Sequence, residues 1–200
     1  MYLSDQDIEK AVKNGDIVIH DFTTKRLQPA SYDILLGNKF IITDSNKTHF
    51  IDPVKKVMPV THELILKDDE EFILHPGVSV LGTSHDFFGS QKYLIHLSGK
   101  SSLARIGLVV HNTAGLINPG HFLHITFELC NLNSVPIVLH PKMPIAQLLF
   151  SALSSDVKVS YLKTGHHHGD NWQKNFASFN KKVSSRKVIK KSAKKVVIKK

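Results

Sequence analysis

The chain has a single cysteine, Cys130, among its 200 residues. An internal disulfide is therefore impossible, which excludes a small secreted scaffold built on cross-links. A zinc centre built on several cysteines lacks its ligands as well. No apolar run approaches the roughly 20 residues needed to span a bilayer. The start, MYLSDQDIEK, has neither the basic region nor the apolar stretch of a secretory leader. These absences lead to the expectation of a soluble, cytoplasmic protein with no membrane span. At this length the chain can bury its own core without covalent staples.

Negative charge is also missing from one long stretch. Between Phe87 and Ser155 the only carboxylate in 69 residues is Glu128, whereas Lys92, Lys100, Arg105, Lys142 and five histidines lie in the same span. A polyphosphate pocket needs such a region, because each nearby carboxylate would repel the ligand. A solvated sheet with few charges would look the same, so the observation selects a region rather than a function.

Positive charge is abundant but badly distributed. Residues 181–200 hold nine lysines, Arg186 and no acid, a contribution of +10 to the net +9. Taking those ten from the total of 26 leaves 16 basic against 17 acidic residues, a net of −1 for residues 1–180. The Lys-rich tail suits nucleic acid or an acidic surface, but the near-neutral body argues against nucleic-acid binding as the main function.

Periodicity gives the fold class. Ser4 is placed to cap a short helix with Asp7 three residues on, Ile8, Ala11 and Val12 form its apolar stripe, and Gly15 ends it. Ten short β-branched or aromatic runs follow: 17–19, 39–42, 63–66, 71–74, 78–83, 93–97, 108–111, 124–129, 137–139 and 145–150. That spacing predicts a mainly β sandwich or barrel. Lys67–Glu71 reads as a hairpin-like acidic turn. The predicted organisation is a domain over residues 1–160, a flexible arm over 161–180 and a disordered Lys-rich tail over 181–200.

Two local patterns point to chemistry. In HITFEL, Ile125, Phe127 and Leu129 alternate with His124, Thr126 and Glu128, which places Glu128 opposite the core beside Thr126. GKSSLARIG, residues 99–107, lacks the upstream glycine of a P-loop. It does gather Lys100, Ser101, Ser102 and Arg105, with Ser101 and Arg105 one turn apart if helical; such a turn can present hydroxyls, main-chain N–H groups and a guanidinium to phosphate oxygens, and equally fits an ordinary capped turn. The triple histidine 166–168 reads better as solvated arm than as a metal site.

The run LSGKSSLARIGLVVHNTAGLINPGHFLHITFELCN, residues 97–131, resembles the signature of dCTP deaminases, trimeric relatives of dUTPases. The likeness extends to LSDQDIEKAVKNGDIVI at the N-terminus, LQPASYDILLG at 27–37 and MPIAQLLF at 143–150. It implies a dUTPase-like distorted β-barrel or jelly-roll subunit of a homotrimer, with active sites at subunit interfaces and Mg²⁺ carried on the triphosphate. By position, Lys100, Ser101, Ser102, Leu103, Ala104 and Arg105 would hold phosphates, with Ser101 and Arg105 also beside the reacting base. Thr126, Phe127 and Glu128 would line the base pocket, with Glu128 as proton shuttle. Gln147, Tyr161 and, in the arm, Gln173 match nucleotide contacts, and dTTP is a candidate inhibitor.

The resemblance implies hydrolytic deamination of dCTP to dUTP and ammonia. Zinc deaminases activate the attacking water with a His/Cys-bound metal. This chain has no such motif, so the reaction would fall to a carboxylate alternating as base and acid, and Glu128 is the only one in the signature. Two departures stand out. Asn118 occupies the place of a family aspartate that, in dUTP-hydrolysing relatives, activates the water attacking phosphorus. Its amide cannot act as a base. The arm, His168 to Gln173, lacks a triphosphate-reaching cation and adds Asp170. The alternatives are a bifunctional enzyme forming dUMP and pyrophosphate, whose second step Asn118 argues against, and a nucleotide-binding protein with reduced catalysis, which both departures would suit. His111 is compatible with either a core position or one near the base pocket.

Overall fold

The computed structural model describes residues 1–165. Gln173, the triple histidine and the Lys-rich tail lie outside the described residues. In chain order the elements are α1 Asp5–Lys13, β1 Ile17–Ile19, a 3₁₀ turn Thr24–Arg26, β2 Leu27–Gln28, β3 Ser31–Thr43, β4 Thr61–Ile65, β5 Phe72–Leu74 and β6 Ser79–Ser90. They continue with β7 Leu94–Gly99, α2 Ser101–Ala104, β8 Leu108–Val109, β9 Leu116–Ile117, β10 His121–Asn131, β11 Ile137–Leu139, β12 Pro144–Ser151 and α3 Tyr161–Thr164. The expected mainly β class holds.

The helix α1 forms for the reasons its sequence suggests. Ser4 Oγ accepts from the Asp7 amide and donates to the Asp7 carboxylate at 3.1 Å, and Ile8 and Ala11 are buried against the sheet. Gly15 ends it with φ +76°, a left-handed conformation that costs glycine little.

One large antiparallel sheet runs β8–β10–β6–β3–β12–β7–β9, with β1 on β6 and β2 and β4 on β3. Its curl comes from strands that change partner along their length. The first half of β3 pairs with β12 at Tyr32–Leu35, and the second half pairs with β6 and β4. The β3–β6 register slips between Leu36 and Phe40. At that corner Gly37 lets the strands approach, since a Cβ there would lie 2.8 Å from the Thr83 carbonyl oxygen. The core lies on one side, filled by fully buried Tyr32, Phe40, Phe88, Phe127 and Phe150. Burial holds the Tyr32 phenol above its ordinary pKa, so at neutral pH its protonated oxygen accepts from the Thr23 amide at 3.1 Å.

The strand expectations need correction at several points. The run 39–42 is only the end of thirteen-residue β3, and 78–83 continues to Ser90. Those extensions pass through Asp33 and Asp86, which buried or half-buried cations neutralise. The run 108–111 shortens to Leu108–Val109, whereas β2 and β9 have no counterpart among the expected strands. Residues 67–71 do turn, with the Glu70 carboxylate accepting from the Lys67 amide at 2.8 Å. The flanking strands do not form a hairpin, because β4 pairs with β3 and β5 with β11.

Candidate active site

Alternation along β10 is complete, from buried His121 through Leu123, Ile125, Phe127 and Leu129 to Asn131. Thr126 and Glu128 consequently face away from the core, as HITFEL predicts. A bulge between His124 and Thr126 breaks the pairing with β6 just before this pair. Ser84 stitches the gap. Its hydroxyl accepts from the Ile125 amide at 2.9 Å and donates to the Asp86 carbonyl at 2.7 Å.

Glu128 is held by the loop that follows β8. Its Oε2 accepts from the Asn112 amide at 2.8 Å, and its own amide donates to the Val110 carbonyl at 3.1 Å. At the far end of that loop the Gly115 carbonyl accepts from the Leu97 amide at 2.7 Å. His111 packs against Gly115, where a Cβ would stand 3.1 Å from its Cε1, and its Nδ1 is buried without a hydrogen-bond partner. Glu128 thus enters its pocket as a carboxylate fixed by a main-chain donor.

The pocket it enters is a cavity of about 700 Å³. Thr126, Asn118, His121 and Tyr161 share it with Glu128, and Met58 and Leu81 contribute apolar wall. The Tyr161 ring stacks on His121 with centroids 4.3 Å apart, and the Tyr161 amide donates to the Pro119 carbonyl at 3.1 Å. Gly120, at φ +89°, makes this contact feasible. A Cβ there would collide with Ser160 Oγ and come within 3.2 Å of the Tyr161 nitrogen.

A second, polar cavity of about 320 Å³ lies elsewhere on the chain. Lys100, Ser101, Ser102 and Gln147 line it together with Gln28 and Asp33. The segment after Lys100 forms the expected single helical turn, closed by the Arg105 amide on the Ser101 carbonyl at 3.1 Å. Gln147 Oε1 accepts from the Ser31 hydroxyl at 3.0 Å.

The residues singled out in the sequence therefore fall into two groups. Asn118, Thr126, Glu128 and Tyr161 share one cavity, whereas Lys100, Ser101, Ser102 and Gln147 share the other, and the two linings have no residue in common. Arg105 is exposed, lines neither cavity and makes no ion pair among the described residues. Leu103 packs against the core and Ala104 is exposed. The Phe127 side chain is fully buried in the core, so the place expected for it in a base pocket is open only to its backbone. The cavities also contain His121, which the sequence suggests is structural, and Asp33 and Gln28, which sequence reasoning did not single out. A carboxylate within the apolar strand SYDILL was the available signal for Asp33. Among the described residues no three His, Cys, Asp or Glu side chains are grouped as a metal-ligand set, and no helix is long and apolar enough to cross a membrane.

Comparison with known proteins identifies the family. The family model "dCTP deaminase-like" matches residues 2–153. A protein from Corynebacterium jeikeium (strain K411) named "dCTP deaminase, dUMP-forming" is 41% identical over 162 residues, covering 80% of this chain and 86% of the relative. A protein of the same name from Methanopyrus kandleri is 37% identical over 175 residues, covering 84% and 91%. The crystal structure of the 2'-deoxycytidine 5'-triphosphate deaminase from Agrobacterium tumefaciens superposes with a TM-score of 0.58 at 19% identity. That match covers 76% of this chain and 48% of the other, and shows a shared fold. With its family model spanning most of the sequence and relatives matched over nearly their whole length, the chain belongs to the dCTP deaminase-like family.

Proposed function

We propose that this protein deaminates dCTP hydrolytically and that its end product is dUMP. The observation that carries the first step is Glu128, a carboxylate held by the Asn112 amide and presented beside Thr126 to a pocket large enough for a nucleoside. Deamination requires the attacking water to give up both its protons, the first on attack at C4 to reach N3 and the second from the resulting hydroxyl to reach the departing amine, and a single positioned carboxylate can relay the two in turn. The names of the matched relatives support continuation to dUMP. Mg²⁺ belongs to this reading as part of the substrate, carried on the triphosphate.

The two cavities bear on how a complete site is assembled. A catalytic centre using both Glu128 and the Ser101–Arg105 turn draws them from different concavities of the chain, so we place it between adjacent copies of a homotrimer. Mixing an inactive Glu128→Gln chain with an inactive Arg105→Ala chain is then expected to restore activity, in about one site in four for random assembly. Failure of every refolded mixture to exceed its parents would refute the shared site.

Asn118 favours a second reading, in which the reaction stops at dUTP. It lines the Glu128 cavity, but an amide cannot take a proton from water. Incubation with dCTP and Mg²⁺, with ammonia, dUTP, dUMP and pyrophosphate quantified together, separates the two. Equimolar ammonia, dUMP and pyrophosphate support the dUMP-forming reading. Ammonia with dUTP alone supports the second, and Asn118→Asp should then begin to release pyrophosphate. No ammonia rejects both.

A further inference from the structure

The polar cavity contains a carboxylate where phosphate recognition would least favour one. Asp33, in β3, is buried. Its Oδ2 accepts from Lys100 Nζ at 2.5 Å and from Gln28 Nε2 at 3.3 Å, and its Oδ1 is buried with no hydrogen-bond partner. Side-chain exposure is 24% for Lys100 and 10% for Asp33, so the pair is largely withdrawn from water. A negative charge in the wall repels an incoming polyphosphate. Something must offset that repulsion if Lys100 is to serve the ligand.

When an anion arrives, Lys100 can leave Asp33 or stay. Leaving would strand a buried carboxylate with one unsatisfied oxygen and one long amide contact, a strongly unfavourable state. Staying requires no such loss. An ammonium has three N–H donors, and Asp33 takes one of them. A free lysine stem also has many rotamers that must be frozen to fix its charge, and the bond to Asp33 freezes them before any ligand binds.

We propose that Asp33 is a positioning residue for phosphate recognition, holding the Lys100 ammonium as a fixed donor in the polar cavity and remaining bonded to it while its other N–H groups meet phosphate oxygens. The proposal rests on reading the Lys100–Arg105 turn as the phosphate-binding half of the site. Gln28 and Gln147 complete the cavity, the latter tethered to Ser31 and, at 3.4 Å, to the Gly99 carbonyl.

The test uses the full chain. Asp33→Asn, of nearly equal volume, should raise KM for dCTP about tenfold to a hundredfold, the scale of one charge-assisted hydrogen bond, with kcat within about twofold. Lys100→Met should raise KM similarly, and the double variant should be no worse than Lys100→Met alone. A lower KM in Asp33→Asn would mean that the carboxylate is only a competing charge, and overturns the proposal. Losses that add in the double variant, or fall on kcat, indicate a purely structural role and overturn it too. A crystal structure of the wild-type protein with inorganic triphosphate decides the matter even if Asp33→Asn does not fold. A phosphate oxygen on Lys100 with the Asp33 contact kept near 3 Å supports the proposal, whereas separation beyond about 4 Å, or triphosphate absent from the cavity, refutes it. Because inorganic triphosphate has no base to deaminate, this measurement stands apart from whether dCTP is the substrate.

Discussion

Replacing Glu128 with glutamine is expected to slow ammonia release from dCTP by about 10²–10⁴-fold, the usual contribution of a general acid–base group, and to bring it near the limit of detection. The substitution keeps shape and one accepting oxygen, so the bond from the Asn112 amide survives. What it removes is the ability to take a proton from water and return it to the substrate. The core should not notice, because Glu128 lies on the solvent-facing side of β10 while Phe127 and Leu129 hold the strand. Thermal unfolding should therefore shift by no more than about 0.5 kcal/mol equivalent, as for other substitutions away from buried features. Quantifying ammonia alongside a melting curve checks both halves. Turnover near that of the wild type would remove Glu128 from the proton-relay role.

Much of that expectation was visible in the sequence because it depends on local periodicity. HITFEL alternates cleanly, and β10 reproduces the alternation residue by residue. The Ser4 cap and the Ser101–Ala104 turn are also local, and both formed. Elements stabilised from far along the chain were harder to read. SYDILLGNK contains Asp33, Gly37 and Asn38, which argue against a strand until their partners are known. Lys100 neutralises Asp33, the Leu66 carbonyl accepts from Asn38, and Gly37 marks the strand corner. β5 likewise looked like half of a hairpin, whereas its partner β11 comes more than sixty residues later. The division of the candidate residues between two cavities is a further non-local property, since Ser101 and Glu128 stand in one continuous signature, residues 97–131, and belong to different concavities in the fold.

Non-local pairing also sets the largest expected stability effect. Asp86 has only 2% of its surface exposed, yet its carboxylate is fully engaged. Oδ1 accepts from Arg26 Nη1 at 2.6 Å and Oδ2 from the Leu35 amide at 2.7 Å. Arg26 reaches on to the Asp21 carbonyl at 3.0 Å and lies over the Tyr32 ring at 4.9 Å. Leu35 stands where β3 passes from β12 to β6, so this one carboxylate pins the corner that joins Asp33 to the sheet bearing Glu128. Asp86→Ala leaves a half-buried guanidinium without its counter-charge and a buried amide without an acceptor. The expected cost is about 3–5 kcal/mol, the range for breaking one side of a buried pair. In a domain of this size that corresponds to a fall in melting temperature of about 10 °C or more. Asp86→Asn should cost less, because its amide oxygen can still accept one of the two bonds. Melting curves on both variants check the order, and a drop below about 2 °C for Asp86→Ala would mean that apolar packing alone holds the corner. If the order holds, a buried charge that lines neither cavity sets how firmly the sheet around Glu128 is built.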